Sequence, residues 1–102
     1  MLVSFEKLAR AQLEKHIRTV SADTARVFLT VHVQKQMKKR HVVTSEVFET
    51  MRKGKIMLTP EPDLKTGHLI CRMERYLAGR NLAVCVALDD NDPDLVVVTV
   101  IA

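Results

Sequence analysis

The apolar residues of this chain change their spacing once, at Gly54, and that change decides which folds are open to it. Before Gly54 they recur every third or fourth residue. Phe5, Ala9, Leu13 and Ile17 form one stripe, flanked by Leu8 and Val20. Val33 and Met37 lie one turn apart, and Val47, Phe48 and Met51 form a third group. This is helical spacing. After Gly54 the runs are short, and either alternate or are apolar throughout: 55–59, 68–76, 82–88 and 95–101. These are strand patterns. Helices first and an antiparallel meander after them predict an α+β protein, with two to three helices on a sheet of about four strands. A length of 102 residues fits one domain. Aromatic residues make up 4%, so the expected core is aliphatic.

Local chemistry sets the expected boundaries. Ser4 is placed to cap a helix over residues 4–18, with Glu6 in its first turn. His16 falls in the apolar stripe, where a packed histidine is expected. Residues 19–24 break the pattern. Residues 26–30 suit a short strand by β-branched and aromatic content, and also suit the start of a helix. The strand is favoured, followed by a helix from Val31 to Arg40 capped by Thr30. Thr44 or Ser45 caps the next helix, and Gly54 closes it in a left-handed turn after Arg52 and Lys53. Two prolines and a glycine in residues 60–67 predict an unpaired loop. Between 68 and 76, Leu69, Cys71 and Met73 point one way. Ile70, Arg72, Glu74 and Tyr76 point the other, toward an open face. Leu82–Leu88 is apolar on both sides and belongs in the middle of the sheet.

Charge narrows the function. The net charge is +4, unevenly spread. Residues 35–55 hold Lys35, Lys38, Lys39, Arg40, Arg52, Lys53 and Lys55 against Glu46 and Glu49. The tight loop 89–94 holds Asp89, Asp90, Asp92 and Asp94 with no base. An anionic partner fits the basic end. Scarce aromatics argue against base stacking, so nucleic-acid contact is expected at phosphates. The acidic loop lacks the glycine and glutamate of an EF-hand. The sequence has no glycine-rich phosphate loop, serine-triad motif or H-E-x-x-H. Cys71 and Cys85 form no C-x-x-C pair and read as buried free thiols. Neither metal nor cofactor is expected. No apolar window reaches the ~18 residues of a membrane span. The N-terminus lacks the charged-then-apolar order of a signal peptide. A cytoplasmic protein without membrane contact is the expectation.

The most chemical grouping is His32, Gln36 and Arg40, spaced four apart on one helix, with His41 next. They drift by about 40° per step and share roughly one side. A histidine can act as acid or base near neutral pH, and an arginine can grip a phosphate with two donors. The same residues also fit an ordinary solvated helix face. Arg72, Glu74 and Tyr76 would complete a cleft if their face met the basic helices; otherwise they form a solvated sheet surface.

His32-x-x-x-Gln36-Met37-x-x-Arg40, a following capped helix, Gly54-Lys-Ile and the closing Val96-Val-Val-Thr-Val100 resemble a small bacterial family of unknown function. That family carries H-x-x-x-R-M-x-x-R-G-I. It is similar in turn to the RelE/ParE toxin scaffold, in which helices pack on an antiparallel sheet. The resemblance covers residues 25–102 and makes 1–20 an amphipathic helical extension. It implies RNA binding, with or without the ribosome, and metal-independent RNA cleavage. His32 would be acid or base, Arg40 would hold phosphate, Arg72 would support the charge and Thr99 would position a phosphate. Lys35, Lys38, Lys39 and His41 would bind nucleic acid. An antitoxin-like protein partner follows from the same resemblance. Two departures stand out: Gln36 occupies the place of the motif's first arginine, and His41 the place of its glycine. The competing expectations are a non-catalytic binding module on the same fold and a homodimer formed through the face of residues 5–17.

Overall fold

The computed structural model describes residues 4–77 and 79–102. It is α+β, with three α-helices against one mostly antiparallel sheet. The first helical region is interrupted where a single helix from Ser4 was expected. A 3-10 turn at Phe5–Lys7 ends in extended Leu8, and the helix α1 spans Arg10–Ser21. Ser4 makes no side-chain cap. The entry to α1 is instead closed by Gln12, whose side-chain oxygen accepts the Ala9 N–H at 2.8 Å. α1 also runs on through residues 19–21, which local propensity marks as a break. Val20 is 2% exposed there, and its burial outweighs a weak β-branched penalty. Inside the stripe, the His16 ring packs on Phe5 at 4.8 Å between centroids. Its Nε2 is buried without a partner among the described residues, and burial pushes the imidazole below its ordinary pKa.

The strand β1 is Val27–Leu29 and the helix α2 is Val31–Lys39. Thr30 caps α2 as expected, accepting the Val33 N–H on its hydroxyl at 3.1 Å. The helix α3 is Thr44–Lys53, and its cap position is Val43 rather than Thr44 or Ser45. Glu46 reaches back to the Val43 N–H at 3.0 Å, so a carboxylate takes the place expected of a hydroxyl. Gly54 ends α3 in extended backbone (φ −75°, ψ −178°), not in a left-handed turn. Crowding is what requires glycine there. A Cβ would sit 2.8 Å from the Glu74 carbonyl oxygen and tighter still against that of Thr50.

Among the described residues six strands form the sheet, more than the expected four. The remaining ones are β2 (Lys55–Ile56), β3 (Glu61–Pro62), β4 (Leu69–Leu77), β5 (Arg80–Asp89) and β6 (Asp92–Ile101). Their order is β1-β6-β5-β4-β2, with β3 also beside β4. The central position of β5 agrees with its two apolar faces. The extra strands are all short. β1 lies parallel on β6, pairing Val27 with Leu95 and Leu29 with Val97, an exception to the antiparallel meander. β3 pairs Glu61 with Ile70 and Pro62 with Leu69, inside the segment expected to be unpaired. Proline is tolerated because β3 lies at an edge, where a missing N–H costs no ladder bond. The strand expected over 55–59 shrinks to the two residues of β2.

All three helices lie on one face of the sheet. Leu13, Ile17, Val33, Met37, Val47 and Met51 join Cys71, Met73, Val84, Val86, Leu95 and Val97 in a single buried cluster. Cys71 is free and buried in it, and burial pushes its thiol up to about 12. The other face carries Ile70, Arg72 and Glu74, and among the described residues no helix lies on it. Among the described residues, no helix is long and apolar enough to cross a membrane.

Candidate functional site

α2 turns Val33 and Met37 into the core and leaves most of its circumference exposed. At about 100° per residue, His32, Lys35, Lys38 and Lys39 fall within roughly 120° of one another, opposite Val33. Arg40 follows as the C-cap and His41 comes directly after it. All six side chains are exposed, and none is in an ion pair with another described residue. Most arginines elsewhere are tied, Arg10 being an exception. Arg18, Arg26, Arg72, Arg75 and Arg80 each face a carboxylate. Arg52 donates to the Ser21 carbonyl at 2.8 Å.

The end of α2 is held by backbone geometry and by one distant side chain. The Val42 N–H donates to the Met37 carbonyl at 2.8 Å, and the His41 N–H to that of Lys38 at 3.4 Å. This is a Schellman closure, with Val42 and Met37 both buried beneath it. His41 takes its left-handed position at φ 56°, where glycine is favoured. Arg80, at the start of β5, donates to the carbonyl oxygens of Arg40 at 3.0 Å and His41 at 2.8 Å. It also meets both Glu46 oxygens, at 3.2 and 3.3 Å. The Glu46 carboxyl is held below its ordinary range, first by the Val43 N–H and then by Arg80. Arg40 and His41 therefore project from a fixed corner.

Gln36 points the other way, to the sheet. Its Oε1 accepts the Val100 N–H at 3.0 Å. β1 ends opposite Val97, so among the described residues no strand lies on that side of the later part of β6, and the Gln36 side chain supplies the acceptor. Thr99 is next to Val100 and pairs with Cys85 on β5, and Cys85 pairs with Arg72 on β4. Arg72 and Thr99 are thus two strand spacings apart, roughly 10 Å. They sit on the face that the helices leave bare, so the face of Arg72 does not meet the basic helices. The Arg72 Nη2 lies 3.5 Å from Glu74 Oε1, and its Nε is buried with no partner among the described residues. Cys85, half-buried between them, is a free thiol raised by burial. Among the described residues no three metal-ligating side chains come together.

The expected residues thus divide. His32, Lys35, Lys38, Lys39, Arg40 and His41 share α2 and its end, while Arg72 and Thr99 share a row across the opposite face of the sheet. Sequence reasoning missed Arg80, because a lone arginine after a turn glycine carries no local signal of the carbonyls it will meet. It also missed the role of Gln36, whose partner lies 64 residues away.

Residues 29–102 match the family model DUF4258, a domain of unknown function. The match begins at the end of β1 and takes in α2, α3 and the whole β4–β6 meander, leaving α1 outside it. No curated protein and no solved structure matches the chain.

Proposed function

We infer, for a chain that belongs to the DUF4258 family, that α2 and its C-terminal corner form a binding face for the phosphates of RNA. One observation carries this reading. Six cationic or titratable side chains are exposed on a short helix and its end without an ion pair to a described residue, while most arginines elsewhere are neutralised. Exposed unpaired cations on one face are the electrostatic footprint of a polyanion partner. The sequence resemblance to RelE/ParE-type toxins, and helices on a mostly antiparallel sheet, suit the same reading. In that setting an antitoxin-like protein would be a second partner.

The test is RNA affinity measured against salt for wild type and for Lys38→Ala/Lys39→Ala/Arg40→Ala. Removing one cation that neutralises a phosphate should lower the slope of log affinity on log salt by about 0.7 for a single strand, and removing all three by about 2. Absence of RNA binding by the folded protein at low salt, or an unchanged slope in the variant, overturns the reading.

Cleavage is a second reading, supported by His32 and Arg40 standing on one exposed helix and its end. Thr99, on the opposite face of the sheet, has no part in it. In metal-independent cleavage a base takes the 2′-hydroxyl proton, the freed oxygen attacks phosphorus, and an acid protonates the departing 5′-oxygen. His32 would be the acid or base and Arg40 would neutralise the phosphate. Arg72 is engaged by Glu74 on the far face, and Gln36 is occupied at the sheet edge. His32→Ala should then abolish cleavage and leave most of the RNA affinity, which the lysines and Arg40 carry; cleavage that survives the substitution would remove His32 from the chemistry.

A further inference from the structure

Tyr76 is the single tyrosine of the chain and its side chain is out in solvent, 72% exposed. Its strand position faces the bare side of the sheet, and it lines a shallow cleft of about 390 Å³ that runs from there around the edge of β4 to the end of α3. Lys53, Lys55, Arg75, Met57 and Asn81 line the cleft with it. Lys53 and Arg75 share Glu49, at 3.5 and 2.8 Å, while Lys55 is in no ion pair with a described residue. Glu74, the carboxylate at the edge of the cleft, faces Arg72 at 3.5 Å. Met57, 61% exposed, offers an apolar wall. Asn81 pairs directly with Tyr76 across β4 and β5, which puts its amide beside the ring. An amide presents both donors and an acceptor to the edge of a base.

The cleft adjoins the corner described above. Arg80, one residue before Asn81, holds the carbonyl oxygens of Arg40 and His41. Arg80 reaches toward the helices and Asn81 toward the bare face, as neighbours on a strand do. A chain lying along the end of α2 therefore meets Tyr76 on turning past the end of the β4–β5 hairpin.

We propose that the Tyr76 cleft stacks a base of single-stranded RNA whose phosphates lie on the end of α2. An exposed ring beside lysines is the arrangement that holds unpaired bases without reading a duplex. Scarcity of aromatics is no obstacle, because one exposed ring suffices for one base. The proposal rests on the RNA reading of α2 and adds a base contact to it.

With no tryptophan and one tyrosine in the chain, intrinsic emission reports the Tyr76 ring. The experiment titrates the full chain with labelled oligouridine and with an abasic oligomer of equal length, following anisotropy and tyrosine emission together. The expected result is quenching that saturates in step with oligouridine binding. Tyr76→Ala should weaken that binding on the order of tenfold, while Tyr76→Phe retains it. The abasic oligomer should bind wild type about as weakly as oligouridine binds Tyr76→Ala. If oligouridine binds wild type and Tyr76→Ala alike with emission unchanged, the stacking site is wrong and the α2 reading stands. Equal binding of the abasic oligomer and oligouridine to wild type overturns it in the same way. If neither oligomer binds at low salt, both readings fall.

Discussion

His41 is the residue at which local rules and the observed backbone disagree most. The Schellman closure of α2 needs a left-handed residue, and His41 fills that position at φ 56°. A side chain in that region costs about 1–2 kcal/mol, part of which glycine returns as extra freedom of the unfolded chain. His41→Gly should therefore stabilise the fold by a net of about 1 kcal/mol in urea unfolding. A loss of stability would mean that the imidazole makes an interaction worth more than the strain. Strain kept at an exposed cationic corner is the pattern expected where the side chain has a task. His16 and Gly54 contrast in how far they could be read. The apolar stripe marks His16 as packed. Gly54 is legible as a helix end, but the Glu74 carbonyl that excludes a Cβ comes from β4 and leaves no local trace.

Among the elements, α2 is the one whose limits follow from local chemistry: Thr30 caps it, and basic residues crowd its last turn. What α2 does for the sheet is not local. Gln36 completes the ladder on the open side of β6, and a buried N–H left without an acceptor costs more than a hydrogen bond contributes. Gln36→Ala should destabilise the fold by about 1–2 kcal/mol in urea unfolding. Gln36→Arg, which restores the motif of the resembled family, should do no better, because a guanidinium has no acceptor to offer. Arginine recovering wild-type stability would show that the Val100 N–H finds another partner. The short strands are equally non-local. β3 exists through its partner β4 and not through propensity, while β1, whose residues already suit a strand, owes its parallel place to β6.

Over the whole molecule, α1 lies outside the family match and yet inside the core. Leu13, Ile17 and Val20 belong to the same buried cluster as the sheet. Glu14 accepts the Ile56 N–H at 2.9 Å, and Arg18 donates to the Gly54 carbonyl at 2.7 Å. A chain starting at Asp23 should lose cooperative melting. Ile17→Ala alone should cost roughly 2–5 kcal/mol, a large share of a small domain's stability. A truncated chain that melts like the full one would make α1 a detachable addition. Charge is segregated at this scale too. The cations of α2 gather at the corner held by Arg80, while Asp94 and Asp89 are met by Arg26 and His68.

Spacing by itself determined the α+β class, the three long strands, the central place of β5, the extent of α2 and the basic character of its face. Each of those follows from periodicity or from caps a few residues apart, which a linear chain displays directly. Tertiary structure decided the parallel β1–β6 pair, the splitting of the expected site between α2 and the far face of the sheet, and the Arg80 clamp. Each of these joins residues distant in sequence through hydrogen bonds or burial that exist only once the helices have chosen one face of the sheet.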